Sequence, residues 1–203
     1  MLTDADRARI AAAIAAAERG TAGEIRVVVA TRPLTPSHLY PVLWAALAAL
    51  SLPWVFVLFR PLPVIALFAA QIILFGAVAL LLSLPGLARA VTPRRAREHA
   101  VREVALTQFF TLGMQETHGR AGVLILVALA DRVTEVVADR AIHERVGHTG
   151  WHAVCARIVE GGRADRVADG IVAAVAEAGA ILAAHLPPGP HQGNELPDHL
   201  VIV

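Results

Sequence analysis

Hydrophobic residues recur at two different spacings in the first thirty residues. Ile10 and Ile14 lie one helical turn apart, which predicts an amphipathic helix. Thr3 followed by Asp6 resembles a capping box at the start of that helix. The EIRVVVA segment at 24–30 is rich in β-branched residues and predicts a strand. The chain therefore opens as an α/β domain, with a helix that leads into a strand.

Two long runs without charge follow. Residues 39–59 extend over ~32 Å as a helix, which matches the ~30 Å hydrocarbon core of a bilayer. After Arg60 a second uncharged run extends over 61–88, and its span is predicted at 63–85. The short RPLP sequence between the runs allows only a tight turn, so together they predict a transmembrane hairpin. A buried helix pair in a soluble protein is the alternative interpretation.

Arginines are concentrated at one side of this hairpin. Arg60 lies at its turn, and the others nearby flank its outer ends: Arg26, Arg32, Arg89, Arg94, Arg95, Arg97 and Arg102. The positive-inside rule then predicts a two-pass protein of the bacterial inner (plasma) membrane with both termini in the cytoplasm. The basic run at 94–102 is interleaved with Glu98 and lacks aromatic residues. We therefore expect it to contact lipid headgroups, and we expect no nucleic-acid partner.

Helix and strand patterns resume after the hairpin. The predicted elements are a helix at 94–112, strands at 122–129 and 133–138, helices at about 149–160 and 165–185, and a last strand in the terminal LVIV. The two strands are joined by a tight turn and are expected to be antiparallel. If that turn is centred on Asp131, Val123 lies opposite Asp139.

These elements predict an α/β fold, in which a small mixed sheet is flanked by helices and the transmembrane hairpin is inserted after the first strand. The N-terminal helix and first strand occupy 1–38, and the hairpin occupies 39–88. The rest of the α/β domain occupies 89–186, and a C-terminal tail occupies 187–203.

The composition of the chain and the motifs it lacks exclude several classes of function. Hydrophobic residues make up 56% of the chain and the formal net charge is +1, so no overall field attracts nucleic acid. Cys155 is the only cysteine, which excludes an intramolecular disulfide. The sequence has no Gly-rich phosphate loop, no Gly-x-Ser-x-Gly elbow and no Cys-x-x-Cys pair. His143 and His148 are five residues apart around Gly147, which is the wrong spacing for a zinc protease.

Four segments in this order resemble the TPM domain family, which is named in part after a thylakoid-lumen phosphatase, and especially its bacterial integral-membrane branch. They are TAGEIRVVVA at 21–30, RAGVLILVALADRVTEVVADRAI at 120–142, Ala-Asp-Gly-Ile-Val at 168–172 and NELPD at 194–198. The resemblance implies a small sheet flanked by helices. It also implies either acid phosphatase activity with a divalent ion such as calcium, or an accessory role in a membrane complex.

The sequence departs from the family pattern at one end of the predicted sheet. Arg120 and Ala121 stand where members commonly carry Asp or Asn before the strand. The residues from Asp139 to Ala141 stand where members often carry Gly-x-Gly. If the first strand lies parallel to the 122–129 strand, Glu24 comes to the same end.

The candidate site is therefore the cluster of Glu24, Arg120, Asp139 and Arg140. It can bind a cation through its carboxylates or an anion through its guanidinium groups. A surface ion-pair cluster is the alternative. The opposite end of the sheet, near Thr31 and Asp131, stays open as a second location.

Two functions from different classes follow. The first, which we favour, is a non-catalytic binding or accessory module that is held at the lipid bilayer and acts on a membrane-protein partner. The second is a divalent-ion-dependent, acid phosphatase-like hydrolase in which Glu24 and Asp139 hold the ion, with calcium or another divalent ion as cofactor.

Overall fold

The chain forms two compact units. The computed structural model describes residues 2–35, 38–59, 63–117, 120–188 and 200–203, so the NELPD segment and most of the RPLP turn lie outside the described residues. Unit 1 contains Met1–Leu34 and Glu98–Val203, and unit 2 contains Thr35–Arg97. In chain order the elements are α1 (Asp4–Glu18), β1 (Glu24–Ala30), α2 (Leu39–Phe59), α3 (Val64–Leu82), α4 (Pro85–Val91), α5 (Arg94–Thr111), a 3-10 turn (Met114–Glu116), β2 (Gly122–Ala128), β3 (Val133–Ala138), α6 (Arg140–Arg163), α7 (Val167–His185) and β4 (Val201–Ile202).

Unit 1 is built on a four-stranded mixed sheet with the order β3-β2-β1-β4. Strand β1 pairs in parallel with both β2 and β4, and β3 pairs antiparallel with β2. The mixed sheet is confirmed, and so is the last strand in the terminal LVIV. Because β1 and β2 are parallel, the chain between them must cross over, and unit 2 lies within that connection.

Helices cover both faces of the sheet. Strand β2 is buried at all seven of its positions, as expected for a strand covered on both faces. One face packs against α1, α6 and α7 through a cluster that includes Ile10, Ile14, Ile25, Val27, Val123, Val154 and Ile171. The other face packs against α5 through a cluster that includes Val28, Leu124, Leu126, Val101, Ala105 and Phe109. Side chains that alternate along each strand thus enter two separate cores.

The register of the β2–β3 hairpin differs by one residue from the predicted one. Val123 lies opposite Ala138, not opposite Asp139. The turn contains four residues, 129–132, and Arg132 adopts a left-handed φ of 53° in it. The Asp131 carboxylate accepts a 2.7 Å hydrogen bond from the Leu34 N–H and so holds this longer turn in place.

Helix α6 begins earlier than predicted. Its first residue is Arg140 rather than a residue near 149, because Asp139 Oδ1 accepts the Arg140 N–H at 2.6 Å and caps the helix. Gly147 leaves the helical conformation, with φ 68° and ψ 176°. The predicted start near 149 therefore corresponds to the second of two helical stretches.

Unit 2 exposes an apolar helical surface. Among the described residues, two helices are long and apolar enough to cross a membrane. Helix α3 has a mean hydropathy of 2.7 with none of that window buried, whereas α7 is 44% buried, within the core of unit 1. Helix α2 is apolar over Leu39–Val55, and its Ala49 carbonyl accepts a 3.3 Å hydrogen bond from Gln71 Nε2 of α3. The second predicted span, 63–85, contains all of α3 and ends where α4 begins.

Two glycines allow α6 and α7 to approach closely. A Cβ on Gly161 would lie 2.6 Å from the Gly170 Cα, and a Cβ on Gly170 would lie 2.9 Å from the Arg157 carbonyl oxygen. Backbone atoms at these distances cannot move aside as a flexible side chain can.

We expect Gly161→Ala to lower the free energy of unfolding by ~1–3 kcal/mol, because the new methyl group overlaps the α7 backbone. The neighbouring Gly162 has no atom within 4 Å of an added Cβ, so Gly162→Ala is expected to be neutral or to stabilise by up to ~1 kcal/mol. Denaturant unfolding of the full chain in detergent, followed by tryptophan fluorescence, measures both. Equal effects of the two substitutions would contradict the packing argument.

Candidate functional site

All four predicted site residues lie at one end of the sheet, and two of them, Glu24 and Asp139, flank the start of β2. Glu24 begins β1 and pairs with Gly122 at the start of β2. Asp139 directly follows β3 and donates its backbone N–H to the Gly122 carbonyl at 2.9 Å. The two acidic residues therefore lie on either side of β2, and strand alternation assigns them to the sheet face that packs against α5.

Asp139 is a buried carboxylate whose two oxygens differ in their hydrogen bonding. The residue is 7% exposed. Its Oδ1 accepts the Arg140 N–H and caps α6. Its Oδ2 is buried, and within the described part of the chain it has no hydrogen-bond partner. A buried carboxylate oxygen without a donor is costly in free energy.

The two arginines of the cluster do not converge on Asp139. Arg140 Nε donates to Glu144 Oε1 at 2.7 Å, one turn further along α6, and this bond raises the pKa of Arg140 above its usual value. Both side chains of that pair are exposed. Arg120 is also exposed, and its backbone has a left-handed φ of 52°. The guanidinium groups thus lie on the surface, where such pairs contribute little to stability.

The Met114 turn occupies the space between the two carboxylates. A Cβ on Gly122 would lie 2.5 Å from the Met114 carbonyl oxygen and 3.1 Å from its Cε. The 3-10 turn therefore covers β2 on this face between Glu24 and Asp139. Glu24 Oε2 is buried, as is Asp139 Oδ2. Since β1 and β3 are two strand spacings apart, ~10 Å, the two carboxylates are not placed as a shared pair for a hard cation. Among the described residues, no group of three or more His, Cys, Asp or Glu side chains is placed to hold a metal ion.

At the opposite end of the sheet, the two residues named for it bind backbone groups. Asp131 is 3% exposed and holds the segment after β1 through the Leu34 N–H. The Thr31 N–H donates to the Val203 carbonyl at 3.1 Å and so secures β4. Both contacts are structural.

The fold and this arrangement can be compared with known proteins. Residues 87–181 match the family model described as the TPM domain. These residues are similar to the TPM domain, and unit 1, which contains most of them, is referred to below as the TPM domain. The matched range includes β2, β3 and three of the four cluster residues, whereas Glu24 lies outside it.

A solved structure supports the fold of the TPM domain. The NMR structure of the BA42 protein from the psychrophilic bacterium Bizionia argentinensis superposes with a TM-score of 0.62 at 20% identity, covering 100% of this chain and 96% of that chain. At this identity the likeness shows the fold alone. No curated protein matches the chain.

The TPM domain also contains a charged cavity that the sequence patterns did not reveal. It has a volume of about 290 Å³ and is lined by Leu2, Asp6, Arg9, Leu129, Asp165, Arg166, Val167, Ala168 and Asp169. Across it, Arg9 Nη2 of α1 contacts Asp169 Oδ1 of α7 at 2.6 Å, which raises the pKa of Arg9. These partners are 160 positions apart, so no local spacing signals the pair.

A partly buried acidic residue lies on the edge strand of the TPM domain. Burial raises the pKa of Glu135 on β3 although Arg102 Nη1 contacts its Oε1 at 2.8 Å. Cys155 of α6 lies close to the same strand, with its Sγ 4.0 Å from the Thr134 carbonyl oxygen. Burial, and to a smaller extent the charge of Glu135, raises the pKa of the Cys155 thiol to about 11. Such a thiol is a structural group rather than a nucleophile.

We expect Cys155 to react with iodoacetamide ~100-fold more slowly at pH 8 than an ordinary protein thiol, because a pKa of about 11 instead of 9.0 lowers its thiolate fraction by that factor. The rate should rise with pH up to about 11, and Glu135→Gln should increase it by lowering the thiol pKa. Mass spectrometry of the native chain measures the rate, with the urea-unfolded chain as control. Rapid labelling of the native chain that levels off near pH 8 would contradict this environment.

Proposed function

We propose that this chain is a two-pass membrane protein whose TPM domain is a non-catalytic binding or accessory module for a membrane complex. The observation that carries the proposal is the apolar surface of α3, since none of its 18-residue apolar window is buried. The family match over residues 87–181 supports the TPM part of the proposal.

The side chains of α3 need an apolar solvent. Ile65 is 79% exposed, Ile72 is 72% exposed and Leu80 is 75% exposed. Side chains of this size each favour leaving water by ~1.5–3 kcal/mol, so a whole helix of them in water is a large penalty. On α2, Leu50 and Trp54 are 64% and 74% exposed and extend the same kind of surface. A lipid bilayer supplies the missing apolar surroundings for both helices.

Helix α7 is also long and apolar enough to cross a membrane, but its apolar residues have another explanation. Its apolar side chains enter the core of the TPM domain, where Ile171, Val175 and Leu182 are fully buried. The membrane proposal therefore assigns the spans to α2 and α3 and leaves α7 in the domain.

The arginine distribution supports an orientation. Unit 2 has no acidic residue, and four of its arginines lie at 89–97, after the end of α3, against Arg60 at the other end of the hairpin. By the positive-inside rule we place the TPM domain and both termini in the cytoplasm and the chain in a bacterial inner membrane.

The non-catalytic assignment is supported by what the cluster residues do. Asp139 caps α6, Arg140 pairs with Glu144, and the Met114 turn fills the space above Gly122. The helix cap and the Met114 turn stabilise the end of the sheet, whereas the exposed Arg140–Glu144 pair contributes little. We therefore assign this surface to the binding of a membrane-protein partner.

A divalent-ion-dependent, phosphatase-like hydrolase is the second candidate function. It is favoured by one observation, the buried Asp139 Oδ2 that no described residue satisfies. A bound calcium or magnesium ion would neutralise the charge on this oxygen. It would also act as a Lewis acid on a phosphate group. Asp139 would then be its ligand, with Glu24 as the nearest acidic residue along the sheet end.

For membrane insertion, we expect the wild-type chain to stay in the membrane pellet after alkaline carbonate extraction. Ile72→Arg together with Ile73→Arg should release it or lower its membrane fraction, because each charge at the centre of a span costs ~2.5–3.5 kcal/mol. The matched control is Leu106→Arg with Val159→Arg, which charges two exposed apolar positions of the TPM domain. Extraction of the wild type itself would overturn the membrane proposal.

For orientation, green fluorescent protein fused after Val203 is expected to fluoresce, and alkaline phosphatase fused at the same place is expected to be inactive. Alkaline phosphatase fused after Pro63, at the far end of the hairpin, should be active and serves as control. An active phosphatase fusion after Val203 would reverse the orientation and move the partner to the periplasm.

For catalysis, we expect the detergent-purified full chain to hydrolyse p-nitrophenyl phosphate no faster than its Asp139→Asn variant, with or without calcium or magnesium. Asn keeps the helix cap and removes the charge, so the variant should stay folded, as circular dichroism would verify. Ion-dependent turnover that falls more than tenfold in Asp139→Asn would favour the hydrolase instead.

A further inference from the structure

Pro53 interrupts the backbone hydrogen bonding of α2. The helix runs from Leu39 to Phe59 and contains Pro53 in its interior. In an α-helix the N–H of each residue donates to the carbonyl four positions earlier, and proline has no N–H. The Ala49 carbonyl therefore lacks the backbone donor that any other residue at position 53 would supply.

This carbonyl lies where water is least able to replace the missing donor. Ala49 is the central residue of the 21 in α2. In the proposed transmembrane span it therefore lies near the middle of the hydrocarbon core. Every backbone polar group at that depth must find its hydrogen-bond partner within the protein, because an unsatisfied group in hydrocarbon is costly in free energy.

Gln71 of α3 supplies a donor to the same carbonyl. Its Nε2 donates to the Ala49 carbonyl oxygen at 3.3 Å. All other residues of α3, over Val64–Leu82, are apolar or glycine, so Gln71 has the only side chain of this helix that can donate a hydrogen bond. The amide needs a partner as much as the carbonyl does, because an unpaired amide in hydrocarbon is also costly. The two groups thus satisfy each other across the hairpin.

A second side-chain hydrogen bond in α2 provides a contrast. Ser51 Oγ donates to the Ala48 carbonyl at 2.7 Å. The residue four positions after Ala48 is Leu52, which has an N–H. The Ala48 carbonyl therefore has a backbone donor available besides the hydroxyl, whereas the Ala49 carbonyl depends on the side chain of another helix.

We infer that Gln71 is an intramembrane positioning residue that replaces the missing N–H of Pro53, and that its bond to Ala49 fixes the register in which α2 and α3 pair. The inference rests on the proposed membrane insertion of the two helices. It goes beyond that proposal because it assigns the pairing of the spans to one side chain and names the residue that makes this side chain necessary.

The test is a double-mutant cycle in the full chain, purified in a neutral detergent and unfolded with sodium dodecyl sulfate. Fluorescence of Trp44 and Trp54, both in α2, follows the separation of the two helices. The third tryptophan, Trp151 of α6, is replaced by Phe in every variant so that the signal comes from unit 2 alone. Circular dichroism verifies the helix content of each variant.

We expect Gln71→Leu to lower the equilibrium constant for hairpin pairing about three- to thirtyfold, because it leaves the Ala49 carbonyl without a donor. In the Pro53→Ala background the restored backbone N–H satisfies that carbonyl. There, Gln71→Leu is expected to lower the constant less than about twofold. Equal losses in the two backgrounds would overturn the inference, because Gln71 would then stabilise the hairpin independently of Pro53.

Two further variants keep the test decisive. Ser51→Ala is the matched control and is expected to change the constant less than about twofold, whereas a loss as large as that of Gln71→Leu would overturn the inference. If Gln71→Leu alone does not fold, recovery of a folded chain in Pro53→Ala/Gln71→Leu supports the inference. Failure of this double variant, when Pro53→Ala alone folds, overturns it.

Carbonate extraction of membranes that contain the same variants keeps the two proposals distinct. A Gln71→Leu chain that stays embedded and pairs its helices as tightly as the wild type refutes only the role of Gln71. An extractable wild type refutes membrane insertion itself.

Discussion

The pairing of β1 with β2 is the constraint on which the rest of the structure depends. The two strands are parallel and in register from Glu24↔Gly122 to Ala30↔Ala128, and both are buried on both faces. A parallel pair cannot be closed by a tight turn, so the chain must leave the sheet and return. This obligatory crossover is where the apolar hairpin is inserted. It also explains why helices must cover both faces, since neither strand has a polar side that water can solvate.

The two units differ in whether their apolar side chains are buried within the protein. In the TPM domain, alternate side chains of each strand enter two cores, one with α1, α6 and α7 and one with α5. In unit 2, α3 has no buried residue at all. Two helices of similar length and apolar content, α3 and α7, therefore have opposite environments, and composition alone does not distinguish them. The two helices differ in how much of their surface is covered: α7 enters the core of unit 1 and has the close glycine contact with α6, whereas α3 contacts α2 and leaves many of its large apolar side chains exposed.

The candidate cluster shows how a sheet end can keep acidic residues while giving them structural roles. Asp139 ends β3 and begins α6, so one side chain joins a strand end to a helix cap. The Met114 turn packs closely on Gly122, which pairs with Glu24 on one side and accepts the Asp139 N–H on the other. The helix cap uses only one oxygen of Asp139, and the other is buried without a hydrogen-bond partner among the described residues.

The sequence by itself determined the order of elements, the mixed sheet and the apolar hairpin, because periodicity and uninterrupted apolar length are local properties. It also brought Glu24 and Asp139 to one sheet end, since parallel pairing follows from a helical crossover. Only the tertiary structure decided the hairpin register, because the Leu34 N–H that binds Asp131 comes from a segment 97 positions away. The same holds for the Arg9–Asp169 contact across the cavity and for the Met114 turn above Gly122. In each case the deciding partner is distant in the sequence and is positioned by packing, so no local pattern of residues can encode it.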